Sequence, residues 1–114
     1  MKKDIAKTEP TLKAEFTKFD NSSNWVDGVV GPYHFQAKLF DNPSRFGIKN
    51  GRVSKLSIWD QKVRENKRDF LKACVMNYDR GWDKKPNKKV APYFDAVMKL
   101  LEAAPKRFEN IEEE

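Results

Sequence analysis

One cysteine and one histidine are all that the sequence offers of either residue. Cys74 alone excludes an internal disulfide and fits a reducing compartment. His34 and Cys74 stand forty positions apart with no further ligand cluster around them, so no zinc site or other metal is expected. Long apolar runs are also missing, and a spanning helix needs about 18–20 such residues, so no membrane partner is expected. The N-terminal MKKDIAKTEP is positively charged but has no apolar stretch behind it, which argues against a secretory signal. Gly47, Gly51 and Gly81 do not fall in the strand–GxxxxGKS/T–helix order of a phosphate loop, and no cofactor motif is legible. These absences predict a cytoplasmic protein without a prosthetic group.

What the chain does have is charge and aromatic rings. Lys and Arg number 23 against 17 Asp and Glu, a net charge of +6, and fourteen residues are Phe, Trp or Tyr. The charge is uneven. Residues 61–90 carry ten basic and four acidic residues, net +6, whereas 91–114 carry three and six, net −3. A basic middle segment points to a polyanionic partner; its structural alternative is a lysine-rich solvated surface. The length suits one domain with one core.

The spacing divides the chain into an N-terminal extension with a short helix (1–24), a single α+β domain (25–104) and an acidic tail (105–114). Thr8 and Pro10 suit a helix start, and Leu12, Phe16 and Phe19 follow at helical intervals. Trp25–Val30 reads as a strand, Gly31-Pro32 as a turn. Tyr33, Phe35, Ala37 and Leu39 then alternate with His34, Gln36 and Lys38, the pattern of a half-buried strand. Asn50-Gly51 predicts a type I′ hairpin joining Phe46–Lys49 to Arg52–Trp59. In that last strand Val53 falls out of phase with Leu56 and Ile58, which a bulge near Ser54 would reconcile. Residues 61–72 allow two readings, a projecting hairpin turning near Asn66 or a helix; the strand-like Ala73–Tyr78 favours the hairpin. Val90, Phe94, Val97 and Leu101 mark an amphipathic helix, with Pro92 in its first turn and Pro105 beyond its end. The tail from Lys106 is expected to be mobile except for an anchor at Phe108. The predicted fold is therefore α+β. An antiparallel sheet of about four strands carries the C-terminal helix on one face, with the short N-terminal helix beside it.

The strings FQAK (35–38), FGI-x-NG-R-x-SKL (46–56) and NYDRGW (77–82), in that order before an amphipathic helix, resemble a small uncharacterised domain family of Gram-positive bacteria, their phages and plasmids. The resemblance covers roughly residues 25–100. It implies a four-stranded sheet with one C-terminal helix. This chain departs from the pattern by its extension through Asn24 and an insertion around Val63–Lys72. No activity is assigned to the family. The resemblance implies a setting, mobile genetic elements in a bacterial host, and that setting includes small inhibitors of host defence such as Cas9-type anti-CRISPR proteins.

Among candidate sites, Arg64, Lys67 and Arg68 crowd the insertion, while Arg80, Lys84, Lys85 and Lys88 surround Trp82. Charge for phosphates and a ring face for bases are what a single-stranded nucleic acid requires. The structural alternative for Trp82 is a core anchor that closes the sheet on the helix. Cys74 lies in an apolar strand, the wrong setting for a nucleophile. The expected function is thus non-enzymatic. It is inhibition of a host nucleic-acid machine by occlusion, through nucleic acid or a ribonucleoprotein, RNA favoured, with a host protein as a possible target. The alternatives are a protein-interaction module or homodimer, and a small metal-dependent nuclease using Asp79 and Asp83.

Overall fold

The computed structural model describes residues 12–67 and 69–108. Its centre is one antiparallel sheet of six strands paired in chain order. They are β1 (Ala14–Phe19), β2 (Trp25–Val30), β3 (Tyr33–Leu39), β4 (Val53–Asp60), β5 (Cys74–Asp79) and β6 (Trp82–Lys84). Two short helices, α1 (Gln61–Lys67) and α2 (Phe70–Ala73), separate β4 from β5, and α3 (Ala91–Glu102) follows β6.

The fold class is α+β, with the C-terminal helix as expected, but the sheet has six strands where four were expected. Segment 14–19 is strand, not helix. The reason lies in a bulge at Thr17, where the register slips between Phe16 and Lys18. The extra residue puts Phe16 opposite Gly28 and Phe19 opposite Val26, so both rings reach the same side, 4.8 Å apart. An interval of three is a helical signature in a regular chain; here the bulge produces it. The proposed start of that helix, Thr8 and Pro10, lies outside the described residues.

The β2–β3 hairpin follows the sequence closely. Val30 pairs with Tyr33, and Gly31 takes φ +55° in the turn, a conformation that a side chain resists. The Asn50-Gly51 hairpin does not form. Positive φ falls one residue earlier, at Lys49 and Asn50, and Gly51 N–H closes the turn on the Ile48 carbonyl at 3.0 Å. No strand precedes it; residues 48–50 are a single 3-10 turn, and β4 pairs with β3. The bulge near Ser54 is present, since Leu39 faces Val53 and Lys38 faces Lys55. It turns Val53 fully into the core.

Gln61–Lys67 and Phe70–Ala73 are helical, not the arms of a projecting hairpin. Asp60 accepts the backbone N–H groups of Lys62 and Val63 at 2.9 and 3.2 Å, and Asp69 accepts that of Lys72 at 3.3 Å. Each carboxylate is an N-cap, satisfying donors that a helix start leaves open.

Helix α3 covers one face of the sheet. Phe94, Val97 and Leu101, with Val90 just ahead, pack among Val26, Val30, Phe35, Leu56, Ile58 and Met76. Each buried side chain of this size contributes roughly 1.5–3 kcal/mol of transfer free energy. Beyond the helix, 109–114 lie outside the described residues, and the first residues of the tail expected to be mobile are tied down at Arg107. Its guanidinium donates to the carbonyls of Ser23 (2.7 Å), Asp20 (3.3 Å) and Leu39, and its ring neighbours are Phe19 and Phe108. Burial lowers its pKa, and Asp41 acts in the opposite direction.

Candidate functional site

The sheet face opposite α3 carries the candidate residues. The strand register lays its side chains out in three rungs. The first runs Trp25, Lys38, Lys55, Asp79 across β2 to β5. The second runs Asp27, Gln36, Ser57, Asn77, and the third joins Val29, His34, Trp59 and Cys74. At about 4.8 Å per strand, each rung spans about 14 Å.

The third rung is roofed by α1 and α2. Trp59 stacks on His34 (6.0 Å), meets Phe70 edge-on (5.3 Å), and donates its indole N–H to Gln61 at 2.7 Å. Arg64 lies over both the Trp59 and Phe70 rings, at 5.3 and 4.8 Å. A hollow of about 430 Å³ remains beside them, lined by Thr17, Asp27, His34, Gln36, Trp59 and Arg64. Cys74 is buried under this roof. Burial pushes its thiol pKa up, partly offset by Lys84 and Arg64.

The middle rung is polar and internally bonded. Gln36 donates to Asp27 at 3.0 Å, Ser57 to the Asn77 side-chain carbonyl, and Asn77 to Asp83 at 2.9 Å.

The first rung is cationic and aromatic. Lys38 and Lys55 face each other directly across β3 and β4. Lys38 Nζ lies over the rings of Trp25 (5.8 Å) and Phe40 (5.5 Å). Lys55 has an ion pair with Asp79 at 3.5 Å, both side chains exposed to solvent. Beside this rung opens the larger hollow, about 640 Å³, walled by Phe40, Phe46 and Phe108 with Lys38, Lys55 and Arg80 on its rim. Arg80 sits 4.4 Å above the Phe46 ring, and Arg45 lies 5.1 Å from the same ring. Phe46 and Trp25 are each 39% exposed, unusual for such large apolar groups.

The residues singled out from sequence are spread over the molecule. Arg80 joins the larger hollow, and Arg64 lies at the other end of the open face, about 17 Å away along β4. Trp82 is on the helix side, edge-on to Tyr78 (5.1 Å) and Phe94 (5.7 Å), in the position of a core anchor, although 37% exposed. Lys84 donates to the Cys74 carbonyl at 2.9 Å. Lys85 and Lys88 are exposed in the stretch leading to α3. Arg68 and the side chain of Lys67 lie outside the described residues. Sequence reasoning missed Trp25, Lys38, Phe40, Phe46 and Lys55. The available signal was the alternation of β3, which puts Lys38 on the polar face with His34 and Gln36.

Asp79 and Asp83 are engaged by Lys55 and Asn77 respectively. Among the described residues no three His, Cys, Asp or Glu side chains gather as a metal site. No helix there is long and apolar enough to cross a membrane.

A family model for a domain of unknown function (DUF7678) matches residues 24–102. No curated protein and no solved structure matches the chain.

Proposed function

The chain belongs to the DUF7678 family, a domain of unknown function, and from its open face we propose a non-enzymatic protein that binds single-stranded nucleic acid, RNA in preference. The observation that carries this reading is Lys38 directly opposite Lys55. Like charges at that position destabilise a sheet; Lys55 also meets Asp79 at 3.5 Å in a solvent-exposed pair, so an anion lying across the rung gains from Lys38 and competes with Asp79 for Lys55. Trp25 and Phe46 supply exposed rings on which bases can stack, the sequence-tolerant part of single-strand binding. The hydroxyls of Ser44 and Ser54 line the same hollow and can meet a 2′-hydroxyl, which supports RNA over DNA.

The resemblance to a family of phage and plasmid proteins supports a specific target within this proposal. It is the RNA of a Cas9-type ribonucleoprotein, inhibited by occlusion from the basic surface. The first test is titration of a labelled single-stranded RNA at several salt concentrations. Binding should weaken with log K falling by about 0.7 for each phosphate contacted. Absence of binding at about 50 mM salt, or binding indifferent to salt, sinks the nucleic-acid reading. Target cleavage by the ribonucleoprotein, with and without the protein, tests the inhibitory step separately.

A further inference from the structure

We infer that the hollow between Phe40, Phe46 and Phe108 is a pocket for one unstacked nucleotide, its base among the rings and its phosphate on Lys38, Lys55 and Arg80. This rests on the open-face reading above and adds a defined subsite to it.

Five observations carry it. The hollow, about 640 Å³, has the size at which small-ligand pockets occur. Its lining combines the two chemistries of a nucleotide: flat apolar walls, and three cations brought to one rim from β3, β4 and the turn after β5.

The acidic residue in the lining, Asp41, is engaged by the backbone of the chain after α3. Asp41 is buried, and its two carboxylate oxygens accept the backbone N–H groups of Arg107 (2.9 Å) and Phe108 (2.8 Å). It builds the wall by fixing Phe108 in place.

Arg80 holds a left-handed backbone, φ +62°, which costs a bulky residue on the order of 1–2 kcal/mol. The next residue, Gly81, has open space around it. Such a left-handed conformation suits the tight β5–β6 turn, and backbone strain of this kind also clusters at ligand sites. The conformation puts the guanidinium over Phe46, and Arg80 N–H is fixed on the Ser54 carbonyl at 2.8 Å.

The walls are held in advance of any ligand. Phe40 exchanges backbone and side-chain hydrogen bonds with Arg52 at 3.0 and 2.8 Å, and the Tyr78 hydroxyl donates to the Phe46 carbonyl at 2.9 Å. Little ordering cost remains for binding.

The test is titration of the full chain, followed by amide and side-chain NMR shifts, with uridine or adenosine monophosphate. Further arms use the matching nucleoside, inorganic phosphate, a short single-stranded RNA and a phosphotyrosine peptide. The nucleotide should shift Phe40, Phe46, Lys55 and Arg80. Nucleoside and phosphate alone should each bind about tenfold or more weaker, the loss expected when one of two recognition elements is removed. Phe46→Ala should weaken nucleotide binding about fivefold or more. That variant retains the carbonyl that Tyr78 uses, and an unchanged Tm would show that the loss is not unfolding. RNA that binds while every mononucleotide fails overturns the pocket and leaves the open-face reading standing. Mononucleotide binding without RNA binding does the reverse. Equal response to inorganic phosphate, or tighter binding of the phosphotyrosine peptide, also overturns the pocket.

Discussion

Arg52 and Glu102 cap each other. The Glu102 carboxylate accepts the Arg52 backbone N–H at 2.9 Å, and the Arg52 guanidinium donates to the Glu102 carbonyl at 3.0 Å and to Ala104 at 2.6 Å. A cation at the C-terminus of α3 satisfies carbonyls that the helix leaves open and opposes its dipole. The approach is close. A Cβ at Gly51 would stand 2.3 Å from the Glu102 carboxylate, so a side chain there would push that carboxylate off the Arg52 N–H.

Removing this pair should unlatch the helix from the sheet. Arg52→Ala is expected to cost about 2–4 kcal/mol, since it strands several half-buried carbonyls at once. Chemical denaturation with an unchanged m-value would show it; a loss below about 0.5 kcal/mol would contradict the capping role.

Arg107 carries a comparable load on the other side of the hollow. Arg107→Ala should cost about 2–4 kcal/mol, because the Ser23 and Leu39 carbonyls lose their donor. Arg107→Lys should recover only part of it. An ammonium cannot span these carbonyls as a planar fork does. Thermal unfolding of the two variants side by side gives the comparison.

Charge on the first rung should matter for binding and little for folding. Lys38→Gln removes only an ammonium that lies 5.5–5.8 Å from the Phe40 and Trp25 rings, so stability should stay within about 0.5 kcal/mol. Its RNA affinity should lose about 0.7 from the salt slope, one phosphate contact. An unchanged slope would remove Lys38 from the interface.

Arg80→Gly separates folding from function most sharply. Glycine relieves the left-handed strain and forfeits the contact with Phe46, so stability should hold or rise by about 0–1 kcal/mol. RNA and nucleotide binding should both weaken. A variant that is less stable but binds normally would reverse the assignment.

Alkaline pH should destabilise the fold in part through Cys74. Its thiol is pushed above its ordinary value of about 9.0 by burial. Between that value and the raised one, the folded state holds a proton that the unfolded state releases. Stability therefore falls as pH rises above about 9. Cys74→Ala should show a shallower decline. Tyr33, also shifted upward by burial, keeps some slope at higher pH in both proteins. Thiol-reagent labelling of the native protein near pH 8 should be slow.

The parts of the fold legible in sequence are those where one period runs undisturbed. β3 alternates without a break, and α3 repeats Val90, Phe94, Val97 and Leu101 on one stripe; both were readable. β1 was not, because a single bulge converts its pattern to a helical interval. α1 and α2 are too short, at seven and four residues, for periodicity to register. Their caps, Asp60 and Asp69, were the usable signal. The larger hollow was hidden for another reason. Lys38 and Lys55 stand away from the dense basic runs, and only the cross-strand register brings them to one rim with Arg80.

The meander has a kinetic consequence. Every strand pairs with its immediate neighbour in the chain, so the sheet can zip up hairpin by hairpin through local connections. The long return is left to the segment after β6, where Arg52 meets Glu102 and Arg107 reaches Ser23 and Leu39. Docking of this later segment on the sheet should thus be a late event in folding. Variants at Arg52 and Arg107 are then expected to speed unfolding while leaving the refolding rate nearly unchanged.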